Sequence, residues 1–425
     1  MSVSHVSCSS PVLAVAERQD PLLEAGLSAV GLLVELLAGV PDPRDPRGVR
    51  HTIGAVLSVM VFAVLAGARN FREIADQAVD LPVVLLAAAG CRLHPVTGRY
   101  VVPSEPTMRR LAHDIDADAA DARVCQWMRE QAMAAAFARR ADGSSGSGEG
   151  ADAGVVAVAM DGKVVRNTIA PSRAEGSEIK LFSALLHEEA VVIAQRRIPH
   201  DTNEITQVAA LLKDVDLTNV VVTGDAAHAQ HATAAHIVCE RGGAYALTVK
   251  GNQPALLAAI TTVLPPAKPG SEHHVEIDRS NGKIVRRAIW AAPADGIEFP
   301  GAAQVFRIRR DTFDHAGNRL SKEVVHGVTS LSADLATPAQ IAALVRRHWS
   351  VENKSHWVRD TVYHEDHQHA YAGTGAQVMA TLRNLALGIL RLAGITQITR
   401  TLQRIAADRT RILPIITTAT STNRL

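Results

Sequence analysis

The sequence predicts an α/β protein: a mixed five-stranded sheet flanked by helices, with a β-rich insertion, preceded by a small all-α region. Three observations predict it. After a Gly/Ser-rich stretch the chain switches from helical periodicity to the order strand, strand, strand, helix, strand. The first and fourth of those strands each close on an aspartate, Asp161 and Asp225. Alternating strand patterns then separate these from a long helical segment with Glu352 near its middle.

Composition sets the outer bounds. A chain of 425 residues, 47% hydrophobic and 20% charged, is globular, and disorder as the dominant state is excluded. Lys+Arg 44 against Asp+Glu 43 leaves almost no net charge, so any argument for a nucleic-acid partner has to come from local charge. The four cysteines, Cys8, Cys91, Cys125 and Cys239, lie far apart without a CxxC pair, which suits a reducing cytoplasm and reads as small core or surface residues. The first twenty residues lack the basic and apolar regions of a signal peptide. Ile53–Ala68 is uncharged but stops short of the roughly 18–20 residues that span a bilayer, so a buried helix is the expectation and no membrane partner is expected.

In chain order, residues 1–140 read as a helical amino-terminal domain. GLSAVGLLVELLAGV precedes a Pro/Asp/Arg turn, the apolar segment at Ile53, NFREIADQAVDL, a cap and helix start at PSEPTMRRL, and RVCQWMREQAMAAAFARR. Arginines at the helix edges make it a candidate DNA-binding module; a plain helical cap fits equally. Residues 141–154, ADGSSGSGEGADAG, read as a flexible linker. Residues 155–264 hold the first part of the core: VVAVAMD, LFSALLH, AVVIAQRRI, the helix NEITQVAALLKDV, NVVVTGD, the helix QHATAAHIVCERG, AYALTVK and the helix PALLAAITTVL. Residues 265–331 form the β-rich insertion, with turn signals at SNG and HAGN. Residues 332–412 complete the core with the Glu352 helix and a helical tail. Six arginines there (Arg383, Arg391, Arg400, Arg404, Arg409, Arg411) face one acid, Asp408, which predicts a local basic surface.

The acids carry the chemistry. Cutting a phosphodiester needs an activated oxygen and something to absorb charge on the leaving oxygen. Two Mg²⁺ ions about 4 Å apart do both, and hard cations want carboxylate oxygens converging from different elements. Asp161 and Asp225 on adjacent strands, about 5 Å apart, with Glu352 on a helix packed across them, meet that requirement. Singly, an aspartate at a strand end is most often a turn or cap residue, and Glu352 a solvated helix residue. The joint pattern is what favours a site.

The segments MDGKVVRN, NEI, TGDAAHAQ, ALTVKGNQPALL and RRHWSVENKSHW, with the amino-terminal DPRDPRGVRHTIGAVLSVMVFAVLAGARNFREIADQA, resemble insertion-sequence DDE transposases of the branch that includes the H-repeat-associated proteins. The resemblance runs from about residue 40 to about residue 395 and rests on several ordered motifs. It implies a ribonuclease H-like catalytic core, with Asp161, Asp225 and Glu352 as metal-binding acids. Asp161 would bridge two Mg²⁺ ions, for which Mn²⁺ can substitute, and Asp225 and Glu352 would each complete one coordination sphere. It further implies cut-and-paste transposition: hydrolysis at transposon ends to free a 3′-OH, then attack of that 3′-OH on target DNA. The expected partners are DNA and a second copy of the chain in a synaptic homodimer, in the cytoplasm and associated with the nucleoid. Related transposases carry Y-x2-R-x3-E-x6-K on the glutamate helix, where this chain has Val345, His348, Glu352 and Arg359. Spacing puts His348, His356 and Arg359 on the Glu352 face, with His348 and Arg359 holding phosphate.

Lys163, Arg166, Lys250, Asn252, Gln253 and Asn353 complete the candidate DNA contacts, against the plainer readings of a solvated strand edge, a simple turn and a helix surface. Asn203 reads as a helix N-cap, with Glu204 either an ordinary first-turn acid or an auxiliary acid near the metals. The run His364, Glu365, Asp366, His367 and His369 reads as a surface loop rather than a zinc site, because no second ligand pair has suitable spacing. Trp349 and Trp357, eight apart, read as core anchors on one helix face ahead of base-stacking wedges. Two other functions fit the same pattern: a metal-dependent nuclease of this fold, and a catalytically inactive transposase-derived DNA-binding protein.

Overall fold

The computed structural model describes residues 21–141, 155–166, 168, 178–266, 270–280, 282–349, 351–368 and 372–421. The proposed linker, apart from Ala141, lies outside the described residues, as do Cys8 and His369. The chain opens with six helices: α1 (Pro21–Ala38), α2 (Ile53–Leu65), α3 (Phe71–Val79), α4 (Val83–Ala88), α5 (Glu105–Asp114) and α6 (Ala117–Ala141). The Thr52 hydroxyl caps α2 by accepting from the Ala55 N–H at 3.2 Å, and every residue of α2 is buried. Its apolar run is therefore the centre of a helical bundle. No helix among the described residues is long and apolar enough to cross a membrane.

Then come β1 (Val156–Val165), β2 (Ile179–Leu186), β3 (Val192–Arg197), α7 (Glu204–Leu212), β4 (Val220–Gly224), α8 (His231–Ala235), β5 (Ala244–Val249), α9 (Pro254–Val263), β6 (His274–Ser280), β7 (Lys283–Pro293), β8 (Gln304–Phe313) and β9 (Arg319–Thr329). The chain ends in α10 (Pro338–His348), α11 (Trp357–Val362), α12 (Gly375–Leu392), α13 (Ile398–Ala407) and α14 (Ile412–Ser421).

The nine strands among the described residues form one sheet in the order β3-β2-β1-β4-β5-β9-β8-β7-β6. β1, β4 and β5 are parallel neighbours; the other pairings are antiparallel. The expected five-stranded sheet with an insertion is corrected here. Residues Ala246–Val249 of β5 pair with His326–Thr329 of β9, so the β-rich segment prolongs the core sheet. The reason is the free edge that β5 would otherwise present, a row of unpaired N–H and C=O groups that β9 satisfies.

The carboxy-terminal helices return to the first ones. α12 is buried from Gly375 to Leu390 and packs against α2, α5, α6 and α14 on one side and β2 and β3 on the other. One hydrophobic cluster consequently runs from α1 and α2 through α12 into the sheet. Asp121 of α6 lies at this junction, buried. It accepts from Gln195 of β3 at 2.8 Å, from Gln377 of α12 at 2.9 Å, and from the Thr381 hydroxyl. Only half of the expected basic surface is present: Arg400, Arg404 and Arg411 are exposed, and the other three tail arginines are engaged elsewhere. Arg383 and Arg391 are turned inward by the helical period of α12, onto Glu365 and the Arg69 carbonyl, and onto the Ala190 and Lys354 carbonyls; Arg409 is bonded to Gln77 and Asp80.

Candidate active site

Parallel strands bring the two aspartates near each other. β1 and β4 pair as far as Ala159 opposite Thr223, two residues before each aspartate. β4 ends at Gly224, and β1 continues through Asp161, which there faces Ser183 of β2. Asp225 is exposed and caps the turn Ala226–His228, its Oδ1 accepting from the Ala227 N–H at 2.9 Å. Asp161 Oδ1 accepts from the Gly162 N–H at 2.9 Å. Burial first, then the charges of Glu204 and Asp225, push the Asp161 carboxyl up to about 7, although the Gly162 N–H and His228 pull the other way. Carboxylates crowded in this way gain when a cation joins them.

Helix α10 crosses the sheet over β1, β4, β5, β6 and β7, and the chain continues through a π-helical turn, Glu352–His356, into α11. Two buried histidines pin this segment to the aspartate strands. His348 Nδ1 is 3.0 Å from the Thr223 hydroxyl, which is 2.9 Å from His187 Nε2. His356 Nδ1 is 3.5 Å from Asp161 Oδ2. Burial, together with nearby cations at His356, lowers His348 to about 4 and His356 to about 3, so both are neutral at pH 7. Glu352 lies between them in sequence and is solvent-exposed. Among the described residues no three His, Cys, Asp or Glu side chains already stand together as an ion-holding group.

The other expected site residues are placed as follows. Lys163 is buried and bonds both oxygens of Asp360 at 2.8 Å and Asp366 at 3.3 Å. Arg166 is exposed, 3.5 Å from Asp366. Lys250 is exposed. Asn252 donates to the Ala226 carbonyl and Gln253 to Gln230 Oε1, both at 2.7 Å, so the Gly-Asn turn braces the loop that follows Asp225. Asn353 is exposed. Arg359 is fully buried and pairs with Glu365 at 2.7 Å; Arg383 holds the other oxygen of Glu365 at 2.8 Å. The HEDHQH run is therefore no surface loop at Glu365, which is sealed between two guanidiniums.

The tryptophans also differ from expectation. Trp349 and Trp357 are 44% and 59% exposed, and they face different grooves because the π-turn between them breaks the straight-helix register. Trp349 lines a cleft of about 340 Å³ between α10 and β6–β8, with Arg287, Arg310, Arg346 and Asn353; the Arg310 guanidinium lies 6.0 Å from its ring centre. Sequence reasoning missed His187, Thr223 and His228. His228 alone left a signal, three residues after Asp225 in TGDAAHAQ.

Asp161 lies within β1, which runs on to Val165, and not at the strand end expected from the sequence, whereas Asp225 directly follows β4 and Glu352 stands on the turn that leaves α10. Residues 156–389 match the family model of the transposase DDE domain, and residues 34–128 match the model of the segment associated with it. The first match spans more than half of the chain, and the protein belongs to the DDE transposase family. Its relatives include the protein YbfL and the H repeat-associated protein YhhI of Escherichia coli K12, each 26% identical over 395 residues, 90% of this chain and 97% of the relative. YncI of Escherichia coli O157:H7 is 26% identical over 377 residues, 84% of this chain and 87% of that protein. YhhI and YncI carry the word transposase in their names.

Proposed function

We propose that the chain is a cut-and-paste DNA transposase with a ribonuclease H-like core, in which Asp161, Asp225 and Glu352 hold two Mg²⁺ ions, replaceable by Mn²⁺. The observation that carries this reading is that the parallel neighbours β1, which carries Asp161, and β4, which leads into Asp225, are both anchored to the segment around Glu352, through His356 on Asp161 and His348 on Thr223. The donor set fits hard divalent cations: oxygen ligands, gathered where like charge is uncompensated. When bound, such ions stabilise charge on the attacking and leaving oxygens of an in-line displacement.

The protein groups divide the remaining work. The Gly162 and Ala227 N–H groups each hold one oxygen of Asp161 and Asp225; the second oxygen of Asp161 faces His356 Nδ1 at 3.5 Å, so a cation there would share that carboxylate with the imidazole. His348 and His356, kept neutral by burial, fix the helix without competing for the carboxylates as cations. Glu352, exposed on the turn that follows α10, would complete the set from the solvent side. Arg166, Lys250 and Asn353 are the exposed members of the candidate DNA contacts and would be the ones to meet phosphate.

The test uses purified protein, Mg²⁺ or Mn²⁺, and a labelled duplex carrying the inverted repeats that flank the gene. Asp161→Asn, Asp225→Asn and Glu352→Gln should each lower cutting and joining ~1,000-fold or more. Equal activity of wild type and variants refutes the catalytic assignment. Cutting without any joining favours the nuclease reading.

A further inference from the structure

Glu204 opens α7 directly after its cap Asn203, whose side chain accepts from the Thr206 N–H at 3.4 Å. The cap explains Asn203 but not the course of the glutamate side chain, which seats against Gly162, the residue next to Asp161. A Cβ added to Gly162 would collide with Oε1 and Cδ of Glu204 and lie 3.0 Å from Oε2. Gly162 sits within β1 and its φ lies outside the left-handed region, so the backbone does not require glycine there. Glycine in a strand is less favourable than alanine, because it loses more backbone freedom on folding. What it provides here is room for a carboxylate beside Asp161.

A second, independent feature points into the same space. His228 is 1% exposed and stacked on Phe182, ring centres 5.2 Å apart. Neither ring nitrogen makes a hydrogen bond among the described residues. Nε2 is aimed between two acids, 3.4 Å from Glu204 Oε2 and 3.9 Å from Asp225 Oδ1. A buried imidazole without a partner is costly unless its neighbours are organised around something it helps to place.

We infer that Glu204 is a fourth carboxylate of the divalent-metal centre, seated against Gly162 and positioned by His228, so that the cation is held by Asp161, Asp225 and Glu204 as well as Glu352. This rests on the metal-dependent reading above and adds to it an acid supplied by α7, beyond the three acids of the family motif. It also assigns a role to the glycine of MDGK: it is the gap through which the extra ligand enters.

The experiment is Mn²⁺ binding by the full-length chain, read from the electron paramagnetic resonance of the free ion, without DNA and without turnover. Glu204→Gln should weaken binding by about tenfold or more, as Asp161→Asn should, whereas Glu298→Gln, at an exposed acid outside the proposed centre, should not. Gly162→Ala removes no charge and should weaken binding too, by displacing Glu204. Wild-type binding by Glu204→Gln alongside loss in Asp161→Asn overturns this inference and leaves the metal site standing. Wild-type binding by Asp161→Asn as well overturns both. Melting in the presence of chelator supplies the fold control: Gly162→Ala should lower the midpoint, and lower it less when Glu204 is replaced by alanine. Equal loss in both backgrounds shows that the seat does not exist and overturns the inference.

Discussion

Replacing Glu365 with glutamine should be among the most damaging single-atom changes in the protein. Glu365 is fully buried between Arg359 and Arg383, at 2.7 Å and 2.8 Å, and Arg383 also donates to the Arg69 carbonyl at 2.8 Å. Burial alone would raise this carboxyl; the two guanidiniums outweigh burial and hold it down to about 2, against an ordinary 4.5. Glu365→Gln keeps the shape and strands two buried cations, which costs ~3–5 kcal/mol. Unfolding entropy of roughly 2.1 cal/mol/K per residue turns that loss into a fall of ~3–6 °C in melting temperature for a chain of this length. Between pH 4.5 and about 2 the folded chain holds fewer protons than the unfolded chain, so this contribution is complete above 4.5 and disappears as pH falls. At 1.36 kcal/mol per unit it amounts to about 3 kcal/mol. Melting curves of wild type and variant should therefore converge on acidification. A variant that melts with wild type at pH 7, or a gap that does not close toward pH 2.5, would falsify this account of the triad.

Asp121 should show the opposite slope. Burial raises its carboxyl from 3.8 to about 7 despite bonds from Thr381, Gln377 and Gln195, so the folded chain holds the extra proton in that window. Its contribution to stability is lost as pH climbs from 3.8 toward 7, by about 4 kcal/mol, and Asp121→Asn should flatten that part of a urea-unfolding profile. At Gly388 of α12 an added methyl would meet Sδ of Met128 and lie 2.7 Å from its Cε; the flexible thioether can swing aside and alanine favours the helix, so Gly388→Ala should change stability by less than ~1 kcal/mol, and a loss of several kcal/mol would show that Met128 is locked in place. Asn252→Ala removes the 2.7 Å bond to the Ala226 carbonyl. It should cost about 1 kcal/mol and lower DNA cutting severalfold by loosening the loop after Asp225; full activity at reduced stability would limit the turn to a folding role.

The helical start and the strand order up to β5 were legible because local periodicity and burial agree there. α2 is apolar on all sides and fully buried, and VVAVAMD and NVVVTGD are strands buried on both faces. Misreadings cluster where a residue's environment comes from distant parts of the chain. The tail arginines looked like a basic surface by count, yet the partners of Arg383, Arg391 and Arg409 come from other segments, Arg409 meeting Gln77 and Asp80. Trp349 and Trp357 share a face on a straight helix, and the π-turn at Glu352–His356 separates them.

The sequence by itself determined the two aspartates on neighbouring strand segments, the later glutamate and the family to which they point, because these are short motifs read along the chain. Only the tertiary structure decided what surrounds them. β2 pairing carries β1 on past Asp161 to Val165, the fold brings Glu204 into the gap at Gly162, and burial makes His348 and His356 neutral. The physical reason is that a carboxylate's charge, like an imidazole's, depends on the solvent and neighbours that folding removes or supplies, and those neighbours lie tens to hundreds of residues away in the chain.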